Sequence, residues 1–213
     1  MKVSSIRQSN PRNLSFKALK VAQIHYLNDK FSDVSIYSLE KNKDDGFCDK
    51  LLENILKSDN NRLQIKANNI KTFLKNAFSS ISYSDEAVLA VKDKTPFGLF
   101  TVLTYEKNTL AHLAYLATWK NQNLQKVKNG GSMLINHLFH KFKDNREINL
   151  TPAFNSDLFY LKFGFDYENE YDTSHMYIDK RNISKQLGNF TKHFSYEKIT
   201  DTKSLDLENL TEI

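Results

Sequence analysis

The chain has 213 residues and 40% apolar content, which favours one main domain with appendages over two equal domains. Lys+Arg (30) exceed Asp+Glu (25) and the pI is near 9.0, but lysine is spread along the whole chain without a block of about five or six like charges, so nucleic acid is not the expected partner. The single cysteine, Cys48, excludes an internal disulfide, nowhere do about 18 apolar residues run together, and Met1 to Lys20 lack a continuous apolar stretch; a soluble cytoplasmic protein with no membrane association is expected.

Residues 1–30 read as an N-terminal extension: a polar lead-in with Pro11, an alternating string from Leu14, and VAQIHYL, which is open between strand and helix. Val34, Ile36 and Leu39 mark a strand. Phe47, Leu51, Leu52, Ile55 and Leu56 recur at helical spacing behind Asp44 and Asp45, which suit a helix start. Asn69 is placed to cap a second helix, whose core stripe is Ile70, Phe73, Leu74, Ala77, Phe78 and Ile81. The period then changes to two. EAVLAVKD and PFGLFTVLTYE, joined by DKTP, read as an antiparallel hairpin, and the second strand is apolar on both faces, so it belongs inside a covered sheet. LAHLAYLAT is a third strand of the same kind, followed by a polar loop, the pair Gly130 and Gly131, and the helix SMLINHLFHKF. EINLTPAF is the next strand, Ser156 to Lys162 a short helix, and HMYIDK a last strand. Ile183, Leu187, Phe190 and Phe194 have near-helical spacing interrupted by Gly188, and residues 181–213 read as a C-terminal helix with a loose acidic tail.

A glycine pair between a strand and a helix start is where backbone N–H groups can face an anion, because the first turn leaves them unpaired and the helix dipole favours negative charge. The N–H groups from Lys128 to Ser132, with Lys126 and Lys128 beside them, can hold a diphosphate. His137 and His140 lie three apart on the helix, but no third ligand is evident, so no metal is expected; Cys48 sits in a helical apolar pattern and reads as packing.

From Val34 to Lys180, and above all in the glycine loop and in Phe159-Tyr160-Leu161-Lys162-Phe163-Gly164-Phe165, the chain resembles the GNAT superfamily of acyl-coenzyme A N-acyltransferases. The resemblance implies a GNAT-like three-layer α/β fold over residues 31–180, a mixed central sheet flanked by helices on both faces. It implies acetyl-CoA as cosubstrate and a small-molecule or peptide amine as acceptor, with direct attack in a ternary complex; a second copy of the chain is a further candidate partner. In the family an Arg/Gln-x-x-Gly-x-Gly/Ala loop holds the pyrophosphate. Here Lys126 falls on the Arg/Gln position, Asn129 on the first glycine and Gly131 on the second, with Gly130, Lys128 and Ser132 around them; a register led by Gln125 and closed by Gly130 is the alternative. The pantetheine arm is then assigned to main-chain groups of Leu116, Ala117 and Thr118, a coenzyme A contact to Asn155, and the general acid to Tyr160. Relatives often carry a base glutamate where this chain has Ala114, which leaves His112 or Glu106 as candidate base. The acceptor pocket falls to Asp44 to Ile81 and Tyr167 to His175, with Glu168, Glu170 and Asp172 able to attract a cation. The alternative reading is a catalytically inactive acyl-CoA-binding or interaction module on the same fold.

Overall fold

The structure, a computed structural model, describes residues 17–27, 33–40, 45–58, 67–120, 127–169, 171–200 and 204–206. Its centre is a mixed sheet of ten strands among the described residues. The antiparallel run begins with β1 (Lys17–Tyr26), β2 (Val34–Ser38), β3 (Glu86–Lys92), β4 (Thr95–Tyr105) and β5 (Leu110–Thr118). β6 (Glu147–Leu150) joins β5 in parallel, and the hairpin of β7 (Asp166–Asn169) and β8 (Asp172–Asp179) completes that end. Helices α1 (Asp45–Ser58) and α2 (Ala67–Ser80) cover one face, burying Leu51, Ile55, Leu74 and Phe78 against Leu89 and Leu99. Helices α3 (Gly130–Phe142) and α5 (Lys180–Phe190) cover the other, burying Leu134, Leu138 and Ile183 against Phe97, Phe100 and Val102. Alternation of apolar residues on both faces of β3 and β4 is the reason both faces need a cover. This is the expected mixed sheet with helices on both faces.

Local geometry departs from expectation at identifiable points. The β3–β4 connection is only Asp93-Lys94, both with positive φ (49° and 64°), so a two-residue turn leaves Thr95 and Pro96 in the strand; such a turn matches strand twist. Asn69 lies within α2, which already starts at Ala67. Residues 17–26 form one strand, buried through Ala18, Ala22 and Ile24, with β2 on one edge. Its other edge carries β9 (Phe194–Lys198) and β10 (Ser204–Asp206). The helical spacing therefore ends at Phe190, and Phe194 belongs to a strand. Asp179 caps α5 by accepting from the Asn182 N–H at 2.7 Å. No described helix is long and apolar enough to cross a membrane.

α3 carries an unusual core group. His137 is buried, its Nδ1 3.0 Å from the Tyr196 hydroxyl of β9 and its Nε2 without a partner among the described residues. Burial, reinforced by Lys141 and His140, pushes its pKa down to about 3. The folded chain therefore keeps it neutral while the unfolded chain protonates it below the ordinary value of 6.5. Stability from this residue is intact above that value and declines as pH falls towards 3, by roughly 1 kcal/mol per pH unit. Replacing the pair (His137→Leu with Tyr196→Phe) should flatten the acid side of a melting-temperature profile between about pH 6 and 4 relative to the unaltered protein; an equally steep profile would show that the histidine does not control it.

Candidate active site

The site is built on the end of β5. Against β4 the register runs from Gly98↔Thr118 to Thr101↔Tyr115 and then slips to Val102↔Leu113, so Ala114 is an extra residue in β5. A bulge of this kind reverses side-chain alternation. Leu113 accordingly packs in the core under α3, whereas Tyr115 and Ala117 face the core under α1 and α2. On its other edge β5 pairs with β6 only from Leu110↔Glu147 to Leu113↔Leu150. Beyond that, among the described residues, no strand pairs with the β6-side edge of residues 114–118. A cleft of about 600 Å³ opens there, lined among others by Leu116, Thr118, Thr151, Ala153 and Tyr160.

The start of α3 closes one end. Asn129 takes the left-handed conformation (φ 57°, ψ 18°), which asparagine adopts more readily than most residues. Gly130 N–H donates to the Val127 carbonyl (3.1 Å) and Met133 N–H to the Asn129 carbonyl (3.0 Å). The N–H groups of Gly131 and Ser132 have no protein acceptor among the described residues, and both residues line the cleft. The glycines serve close approach rather than positive φ: a Cβ on Gly130 would lie 2.7 Å from Phe97 Cε2, and one on Gly131 3.0 Å from Phe159 Cζ.

Tyr160, on α4 (Asp157–Leu161), reaches the cleft from the α3 side of the sheet. It is held edge-to-face by Phe159 (5.1 Å) and Phe165 (5.6 Å), and burial pushes its phenol up to about 12. Its hydroxyl makes no hydrogen bond among the described residues, so it is free to donate to a ligand. Asn155 precedes α4 with φ 58°; it is exposed and does not line the cleft, and Ser156 holds the N-cap position.

The structure brings Leu116, Thr118, Asn129, Gly130, Gly131, Ser132 and Tyr160 together in one cleft. Ala117 does not line the cleft, its side chain lying in the opposite core. Lys128 is exposed beside the loop, and Lys126, like Gln125, lies outside the described residues. Neither candidate base lines the cleft, and Glu106 is the farther removed. It sits in the turn at the far end of the β4–β5 hairpin, with φ 49°, and pairs with Arg146 at 3.0 Å. His112 lies on the α2 side of β5, two residues before the bulge, with Nδ1 2.7 Å from Asn149 Oδ1 on β6. An amide oxygen only accepts, so Nδ1 is the donor in this contact.

Sequence reasoning missed a second recess of about 450 Å³ that shares Asn129 and Ser132 with the cleft. Lys162, Lys192 and His193 line it, with Tyr26, Phe190 and Phe194, and no carboxylate lines it among the described residues. The pairing Tyr26↔Phe194 brings the α5–β9 turn here, and no local pattern could announce that long-range contact.

No protein-family model and no curated protein sequence matches the chain. Among solved structures the chain is similar to the PaiA N-acetyltransferase of Thermoplasma acidophilum in complex with coenzyme A (18% identity, 68% of this chain and 98% of that one, TM-score 0.46). It is also similar to a GNAT-family acetyltransferase of Staphylococcus aureus Mu50 (17%, 69% and 99%, 0.44) and to a mutant AtaT toxin bound to the C-terminus of the antitoxin AtaR and acetyl-CoA (14%, 73% and 99%, 0.48).

Because the ring of Phe97 is buried and cannot swing aside, Gly130→Ala should lower stability by about 1–3 kcal/mol. Denaturant titration measures this, and a change within about 0.5 kcal/mol would show that α3 can retreat from β4.

Proposed function

We propose that this protein is an N-acetyltransferase that moves an acetyl group from acetyl-CoA to a primary amine by direct attack in a ternary complex. The observation that carries the reading is the open edge of residues 114–118, running from the unpaired N–H groups of Gly131 and Ser132 to the Tyr160 hydroxyl. Gly131 and Ser132 suit a pyrophosphate by hydrogen bonds and helix dipole. The β5 edge suits the amides of a pantetheine arm, which would add to the sheet as a short strand. Lys162, Lys192 and His193 suit the 3′-phosphorylated end of the same molecule in the adjoining recess.

The bond changes follow from this arrangement. The amine nitrogen bonds to the acetyl carbonyl carbon as the carbon–sulfur bond breaks, with a β5 backbone N–H stabilising the oxygen. Tyr160 donates its proton to the leaving thiolate; His112, outside the cleft lining, takes the ammonium proton through water before attack, and the proton the nitrogen sheds on becoming an amide returns through water to the Tyr160 oxygen. A phenol pushed up to about 12 stays protonated over the whole neutral range, so the donor form is always present. The second reading, an inactive acyl-CoA-binding module, is favoured by the lack of a carboxylate among the described residues lining the cleft.

Calorimetry should show binding of coenzyme A to the purified chain, and no binding at millimolar ligand would sink the proposal. Tyr160→Phe should cut kcat by about 10²–10⁴ while leaving coenzyme A affinity unchanged; equal transfer rates with and without the unaltered protein would leave the module reading. Because Tyr160 titrates only near 12, kcat should show no alkaline fall from it up to about pH 10. Lys192→Ala should weaken coenzyme A about tenfold and dephospho-coenzyme A little, since a charged hydrogen bond contributes about 1.5–3 kcal/mol; equal losses for both ligands would place the 3′-phosphate elsewhere.

A further inference from the structure

Because β5 and β6 cease to pair, the cleft is lined from both faces of the sheet. Tyr160 and Phe159 belong to the core under α3, while Phe73 and Tyr115 pack on the core under α1 and α2. On this second face three rings form one wall. Phe73 of α2 meets Tyr115 of β5 at 5.4 Å and Phe154 of the β6–α4 loop at 5.3 Å, both edge-to-face. The bulge at Ala114 is what turns Tyr115 to this face.

Phe154 is the informative member. Its backbone is held at φ 54°, a region that bulky residues avoid, and its ring is 57% exposed. The contact with Phe73 is the ring's packing return in the fold, and more than half of the residue stays in water. The ring gains burial only when something apolar fills the cleft beside it. Among the described residues no Asp, Glu, Lys or Arg lines this cleft, so a chain of several ammonium groups would lose hydration there without an ion pair.

Resting on the acetyltransferase reading, we propose that the acceptor is a monoamine carrying an aromatic or bulky apolar group next to its nitrogen-bearing carbon chain, received by Phe73, Tyr115 and Phe154. The amine enters from the α2 face and meets the thioester at the strand gap. The ring edges and faces give the acceptor's apolar body about 0.5–1.5 kcal/mol per aromatic contact beyond area burial.

The test compares 2-phenylethylamine with spermidine at saturating acetyl-CoA, in the unaltered protein and in Phe154→Ala. Phe154 is exposed, so this variant keeps its fold, and a melting curve verifies it. Expected are a kcat/KM for 2-phenylethylamine at least about tenfold above that for spermidine, and a fall in that ratio of about tenfold in Phe154→Ala, through KM, with coenzyme A affinity unchanged. Equal or better use of spermidine, no transfer to 2-phenylethylamine, or an unchanged ratio in the variant overturns the acceptor proposal. Loss of the cosubstrate reading has a separate signature, the absence of coenzyme A binding by the unaltered protein.

Discussion

β5 is paired on both edges only as far as Leu113, and the rest of the site follows from where that pairing stops. Backbone N–H and C=O groups withdrawn from a ladder must find water or a ligand, because leaving them buried and unpaired costs about as much as a lost hydrogen bond. A single interior strand is thus converted, over its last five residues, into a sheet edge in the middle of the molecule. An exposed edge at the rim of a sheet invites other chains. Here residues of α2, α3, α4 and the β6–α4 loop line the cleft beside it.

The same constraint explains the packing around α3. The helix must come close enough to β4 for its first turn to present Gly131 and Ser132 to the gap, and the contact of Gly130 with Phe97 sets that distance. Asn129 then has to reverse the chain in left-handed geometry, which asparagine does at less cost than other residues with a side chain. Close approach and reversal are separate requirements, met by different residues, which is why the loop tolerates asparagine at one position and not a larger residue at the next two.

Much of this was legible in the sequence because it is local. The period of two in β3 and β4, the helical stripe of α2, and the glycine pair between a strand and a helix each announce themselves within a dozen residues. The left-handed residue was foreseeable from Asn129, and the Phe159 to Phe165 segment marked the short helix that carries Tyr160. What was not legible is non-local. The bulge at Ala114 is visible only against the partner strand, and β9 becomes a strand because β1 offers it an edge, overriding a spacing in which Phe194 continued a helix. Glu106 looked like a strand-end carboxylate near the chemistry; pairing direction puts it at the opposite end of the hairpin, beside Arg146.

In the proposed mechanism the two faces of the gap would do different work. Tyr160 lies on the α3 side, where burial pushes its phenol up to about 12. His112, between Ala111 and Leu113 of the α3-side core, points to the α2 side outside the cleft lining, with Nδ1 2.7 Å from Asn149 Oδ1. A thioester held along β5 would present its sulfur to the first and its carbonyl carbon to an amine arriving from the second. By reversing the alternation at Ala114, the bulge lets one strand present Leu116 to the α3 side and Tyr115 to the α2 side. A regular strand would have placed Leu113 and Tyr115 on the same face, and the aromatic wall would have been lost from the side on which the histidine stands.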